Sequence, residues 1–358
     1  TSVLVVQTSH GQTLVDLDQI PSSGLSLNIR RFARLPNDPG GVVAKASSLS
    51  TAPGDNRLFV TTHGYNNNGV STARIYAIDP NAVGGPSVDL FMPLGQFLNN
   101  ANGPIAKGMS YVNEGGLKSV AFHPEFNNPS SPGYRKFYTS LQEVTANGNS
   151  QLPYVGTKTV TNQLDSVVGV WTVGPSGLVD FGSYREVLRV ALDHFAHPAQ
   201  ALSFNPFSKP GDEDYGLLYF SHGDAGTEPS GTGQLGTNAH GKILRVNPLQ
   251  YGDKSYSVPA TNPFSDANDP SGQVLDEIYA LGLRNTTLFS FANDSVGNVH
   301  MVAGEIGEWN VDEVNVIEAG GNYGWRNREG TFVNNPFAQT IGIGHGIDYL
   351  PANDSTLN

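Results

Sequence analysis

The chain has 358 residues, enough for one large all-β domain or two ordinary ones, and it contains no cysteine. Charged residues make up only 15% of it, against roughly 25% in an average soluble domain, and they sum to a net charge of −12. That acidity speaks against nucleic acid as a partner, because phosphates ask for a basic surface, and the missing thiols exclude a disulfide framework and thiol catalysis. No run reaches the ~18 apolar residues of a membrane helix. The first residues, TSVLVVQTSHGQ, have no basic stretch before their short apolar run and do not read as an intact signal peptide. With 42 glycines, 23 prolines and asparagine throughout, the chain is rich in tight turns and therefore in short strands.

Residues 1–50 offer two strand-like runs, VLVVQT and LSLNIRRFARL, expected to belong to, or to pack on, the domain that occupies 51–358. From Asn56 a unit recurs. NRLFVTTHG and ARIYAIDP flank a Gly/Asn-rich hairpin; GLKSVAFHPEF, RKFYTSLQE and VVGVWTV follow; AQALSFNPF, YGLLYFSHGD and GKILRVNP repeat the order; TTLFSFAN, NVHMVAGEIGE and DEVNVIEAG repeat it again. Period-2 alternation bounded by Gly, Pro, Asn and Asp is the strand signature. Three or four such strands returning every few tens of residues predict the blades of a β-propeller, with an irregular sandwich as the alternative. After Trp325 no further clear unit follows, so either the first 50 residues supply blade strands or the ring is short at its C-terminal end.

Chemistry concentrates between Asp276 and Trp325. Arg284 and Asn285 end an apolar run, Glu305, Glu308, Asp312 and Glu313 cluster after a second strand, and a Gly-Gly turn delivers Tyr323 and Trp325. Arginine is a fixed cation with five donors, and acid oxygens suit a hard metal ion. The bland alternative is a set of structural salt bridges, with Arg284 paired to Asp276 or Glu277. Asn285-Thr286-Thr287 is also a glycosylation sequon, which an asparagine lining a pocket could not serve. His123, His222 and His240 sit in repeat-like or loop positions that suit blade architecture. HExxH, GxSxG and phosphate-loop motifs are absent, so zincin, serine-hydrolase and P-loop chemistry lack support.

HPAQALSF, YFSHGDAG, GKILRVNP, YSVPATNPF, EIYALGLRN, DEVNVIEAGGNYGW and REGTF occur in this order. In these motifs the chain resembles the soluble pyrroloquinoline-quinone (PQQ)-dependent sugar (glucose/sorbosone, aldose) dehydrogenases, to which the propeller of hedgehog-interacting protein is related. The resemblance runs from about Asn56 to Phe332. It implies an all-β, six-bladed propeller of four-stranded antiparallel blades, a secreted or periplasmic location, a sugar substrate and an electron acceptor that the sequence does not specify.

By the same resemblance, His197 matches the general base, with His194 its nearest rival. Arg284 and Asn285 match the quinone-facing pair, and Glu114 a polar cofactor contact. Calcium (Ca2+) ligation is implied for the carbonyls of Gly307 and Glu308 and for the acids Asp312 and Glu313. Three departures stand out. Ala199-Gln200 replaces Gly-Gly after the histidine, Lys118-Ser119 replaces an apolar-small pair, and after Trp325 only Arg326 and Arg328 could meet the cofactor's carboxylates. A non-catalytic, calcium-stabilised propeller that binds a glycan or protein, and a calcium-dependent lactonase, are the rival functions.

Overall fold

The computed structural model describes residues 31–37, 44–64, 66–67, 70–95, 114–144, 151–153, 164–192, 196–226, 231–308, 311–330, 332–335 and 346–348. The chain divides into two units, Thr1–Phe32 and Ala33–Asn358. The described sheets all lie in the second.

The first sheet is built from β1 (Ala46–Thr51) and β2 (Leu58–Thr62). A small hairpin of β3 (Asn66–Asn67) and β4 (Val70–Ser71) follows, and β5 (Arg74–Asp79) and β6 (Ser87–Met92) complete the sheet in the order β1-β2-β5-β6. β1 spans the expected boundary at residue 50. The second sheet is a meander of β7 (Leu117–Phe122), β8 (Lys136–Val144), β9 (Leu164–Val173) and β10 (Val179–Leu192). The third holds β11 (Ala199–Phe204), β12 (Leu218–His222), β13 (Lys242–Val246) and β14 (Ile278–Leu281), and the fourth β15 (Thr286–Asn293), β16 (Val299–Glu305) and β17 (Glu313–Ile317). A last sheet joins β18 (Arg328–Glu329), β19 (Phe332–Asn335) and β20 (Gly346–Asp348). Every pairing within these sheets is antiparallel.

These sheets are propeller blades. The first strand of each packs on the first strand of the next, β1 on β7, β7 on β11 and β11 on β15, so the blades fan out from a common axis. Among the described residues there are three four-stranded blades, a three-stranded fourth and the small sheet of β18–β20; the finer expectation of six is not reached here.

Alternation explains the stacking. On β8, Phe137 faces the first blade's core while its neighbour Tyr138 faces the third blade's; on β9, Val167 and Val168 divide in the same way. Both faces of a middle blade are therefore apolar, and one core fills each seam. A hydroxyl latch repeats across the seams. Thr61, Ser140 and Ser221, each on a second strand, donate to the first-strand carbonyls of the next blade at Lys118 (3.3 Å), Ala199 (2.8 Å) and Thr286 (2.8 Å).

Each first strand also carries a β-bulge at an equivalent place. Pairing slips at Ser47 in β1, at Lys118 in β7, at Gln200-Ala201 in β11 and at Thr287 in β15. A bulge inserts one residue against its partner strand and re-aims a side chain. Here it does so four times around the axis.

Candidate functional site

His197 lies immediately before β11 with a left-handed φ of +53°. A histidine holds that conformation only where its surroundings over-determine it. Its backbone N–H donates to Glu114 Oε2 at 3.1 Å and its Nδ1–H to Asp224 Oδ1 at 2.5 Å. Gly223 makes the approach feasible, since a Cβ there would come within 2.5 Å of His197 Cβ and 3.0 Å of the Arg284 carbonyl. Burial alone would raise Asp224, but the hydrogen bond and charge of His197, the Gly226 N–H and the field of Arg284 outweigh it and hold the carboxyl below its usual value. An ionised Asp224 on Nδ1–H fixes the tautomer that leaves the Nε2 lone pair free. Nε2 makes no hydrogen bond among the described residues and stands 3.8 Å from Glu114 Oε1.

Asp224 links this histidine to Arg284. Its N–H donates to the Arg284 carbonyl at 2.7 Å, and its Oδ2 accepts from Trp325 Nε1 at 2.8 Å. The Arg284 guanidinium lies 5.5 Å from the Trp325 ring centroid, a cation–π contact. Glu305, 6% exposed, takes the backbone N–H groups of Arg284 (2.7 Å) and Asn285 (2.5 Å) and the Thr286 hydroxyl (2.5 Å), with burial pushing it up to about 7. The guanidinium itself meets only carbonyls, Ile306 O at 3.1 Å and Gly307 O at 2.8 Å. No ion pair neutralises it among the described residues, and Glu277, the expected alternative partner, is bonded instead to Tyr256.

Glu114 gathers the rest. Besides the His197 N–H, its Oε2 accepts from Gln200 Nε2 at 3.0 Å and Asn285 Nδ2 at 3.4 Å, and Gln200 also reaches Asn285 Oδ1 at 3.2 Å. Glu114, Gln200 and Asn285 line a cavity of about 510 Å³ on the blade axis. His197 and Arg284 are not lining residues; they adjoin it through Glu114 and Asn285. Asn285 is 2% exposed, a position closed to a glycan.

The structure thus brings His197, Arg284, Asn285 and Glu114 together. His194 lies outside the described residues. At the expected calcium set, no group of three or more acid or histidine side chains that could hold a metal ion stands among the described residues. Asp312 Oδ1 accepts from Gly307 N–H at 3.0 Å, Glu313 accepts from Asn315 Nδ2 at 3.0 Å and from Gly330 N–H, and Glu308 lends its N–H to Glu329 at 2.7 Å. The Gly307 carbonyl already takes the Arg284 guanidinium, whose charge would repel a divalent ion there. These residues do not fit the ion.

Two residues of this cluster escape the sequence reading. Asp224 stands inside the motif YFSHGDAG, where the need of a base histidine for an orienting carboxylate could have singled it out. Gln200, read only as a departure from glycine, proves to hold Glu114. His222 and His240 pack inside the third blade. They stack at 5.1 Å, and burial pushes them down to about 3 and about 4.

Comparison with known proteins places this geometry. The family model described as Glucose / Sorbosone dehydrogenase matches residues 99–335. The HIPL1 protein of Arabidopsis thaliana is 27% identical over 61% of this chain and 33% of its own length. Quinoprotein glucose dehydrogenase B of Acinetobacter calcoaceticus is 25% identical over 77% of this chain and 49% of its own. The chain therefore spans between about a third and half of these relatives. In fold it is similar to the PQQ-bound aldose sugar dehydrogenase of Streptomyces coelicolor, with a TM-score of 0.52 at 20% identity over 84% of this chain and 66% of that one.

Proposed function

The chain belongs to the Glucose / Sorbosone dehydrogenase family, and on that premise we propose that it is a quinone-dependent oxidoreductase that takes the anomeric carbon of an aldose to a lactone. His197 is the general base. The observation that carries this reading is an imidazole fixed by Asp224 through Nδ1, with Nε2 unoccupied beside the Glu114–Gln200–Asn285 cluster.

Oxidation of the sugar moves one hydride, which carries two electrons, and one proton. The C1–H pair leaves carbon as hydride, the C1 hydroxyl proton goes to His197 Nε2, and the C1–O bond becomes the lactone carbonyl. Bound PQQ supplies the two-electron acceptor. The donors present fit such a group: Arg284 carries a charge that no carboxylate cancels, and the Asn285 and Gln200 amides stand at the same place. Arg284 stabilises negative charge that develops on an acceptor oxygen, and does so without reorganising, because Glu305 grips its backbone. Asp224 holds the imidazole in place and stabilises the imidazolium that forms. No step is assigned to calcium.

The family expectation of six blades belongs to the same proposal. In its favour, Val314 and Val316 on β17 are 80% and 49% exposed, an apolar face of the kind a further blade covers. A secreted or periplasmic location is part of the reading and agrees with the absence of cysteine.

The test is dye-linked aldose oxidation and quinone binding by the wild-type chain and by His197→Gln. We expect the variant to lose roughly 10²–10⁴ in turnover while still binding the quinone. Wild-type turnover in His197→Gln would remove the base assignment. A wild-type chain that takes up no quinone at micromolar concentration would instead support a non-catalytic propeller that binds a glycan or protein.

A further inference from the structure

The four bulged first strands turn Ser47, Lys118, Gln200 and Thr287 onto the axial cavity, and at three of those places the residue is a neutral hydrogen-bonding group. At the fourth it is a lysine. Lys118 is half-buried, which pulls its ammonium down against the charge of Glu114, and that ammonium makes no hydrogen bond or ion pair among the described residues. Lys45 lines the same space, and its ammonium too has no hydrogen-bond or ion-pair partner among the described residues. The charges of both lysines add to burial in pushing His63, a third lining residue, down to about 4, so that His63 is neutral at physiological pH. The one acid of the cavity, Glu114, is held by the His197 N–H and the Gln200 and Asn285 amides. Among the described lining residues two lysines stand against one glutamate, in a chain whose balance is −12.

A desolvated ammonium with no counter-ion is costly, and it repays that cost when an anion arrives. A phosphate would be better served by an arginine fork or a nest of backbone N–H groups, and neither lines the cavity. Separate point charges surrounded by hydroxyl and amide groups suit a carboxylate on a polyhydroxylated or planar polar body. We propose that the axial cavity is a carboxylate-binding site in which Lys118, re-aimed by the β7 bulge, is the fixed cation and Lys45 the outer one, with Ser47, Gln200 and Thr287 meeting the polar remainder of the ligand. The carboxylate belongs either to an acidic aldose such as a hexuronate or to the quinone itself. The inference stands on the cavity and its charges, and it holds whether or not the chain turns over a sugar.

Calorimetric titration of the chain with glucuronate, with glucose and with PQQ tests it, each against wild type, Lys118→Met and Lys118→Arg. If the ligand is an acidic sugar, wild type binds glucuronate about tenfold tighter than glucose, Lys118→Met loses that preference, and Lys118→Arg keeps most of it. If the ligand is the cofactor, PQQ affinity falls by about tenfold in Lys118→Met while the two sugars stay alike. Lys45→Gln, at an exposed position that folding tolerates, should reproduce the loss in part and guards against a Lys118 variant that does not fold. Affinities for glucuronate and PQQ that are unchanged in Lys118→Met and Lys45→Gln, or a wild-type chain that binds neither ligand, overturn the proposal. The first outcome leaves the His197 reading intact, since PQQ would still bind and the sugar would still be oxidised.

Discussion

Two arginines show how one side chain serves two ends. Arg189, on the outer strand of the second blade, is surrounded by acids: Nη1 reaches Asp165 at 2.8 Å, and Nη2 reaches Glu143 at 2.5 Å and Glu186 at 2.6 Å. Burial pushes Glu143 up, against the pull of the guanidinium, so the cluster depends on that one cation. Arg284 has no acid on its guanidinium. A carboxylate does approach it, but Glu305 takes its backbone N–H and leaves the head group to two carbonyls and the face of Trp325. The charge of Arg189 is consumed by the fold, whereas that of Arg284 meets no acid among the described residues.

Removing each charge should therefore have opposite consequences. Arg189→Met leaves three acids beside one another, two of them buried, and should cost about 3–5 kcal/mol of stability, read from urea midpoints. Arg284→Met should lower dye-linked turnover by roughly 10²–10³, with a loss of stability of no more than about 1 kcal/mol. If Arg284→Met instead unfolds the chain as readily as Arg189→Met, its charge is structural and the contrast disappears.

The smallest effect sharpens the contrast by way of Glu305. Its carboxyl is raised from 4.5 to about 7, so the folded state holds the proton more tightly than the unfolded chain. The stability it contributes is fully present below pH 4.5 and is lost as pH rises through about 7. Glu305→Gln keeps an acceptor for the two N–H groups, gives Thr286 an amide donor toward which its hydroxyl must turn as acceptor, and cannot ionise. Wild type should lose ~1–3 kcal/mol relative to this variant between those limits, measured as the difference of their urea midpoints. A constant difference across that range would mean that Glu305 is charged throughout.

The strands were legible because alternation is a local property. RKFYTSLQE falls within β8 and its surroundings, VVGVWTV within β9 and AQALSFNPF across β11, each where pattern and turn residues place it. Arg284, Asn285 and Glu114 could be named from motif position, and the structure joins them through Asn285, which shares Glu305 with Arg284 and bonds Glu114 with its amide. What could not be read is equally physical. A bulge is a one-residue slip between two strands, and nothing in GGLKSVAF announces that Lys118 is the residue left over. Asp224 and His197 are 27 positions apart, and Trp325 is 101 from Asp224, separations at which no spacing rule operates. The surroundings of the expected metal set were hidden for a related reason. Asp312 and Glu313 are acids at a strand start, and whether such oxygens meet an ion or a nearby N–H depends on backbone turns that composition does not record.

The hydroxyl latch between blades has a consequence for ancestry. Thr61, Ser140 and Ser221 occupy the same place in three successive units and reach the same place in the next. A tandem copying event that inserted one more unit would carry both halves of its own joint, so the newcomer would find its neighbours already complementary. Architectures whose couplings extend only to adjacent modules tolerate such growth, because no distant contact must be renegotiated.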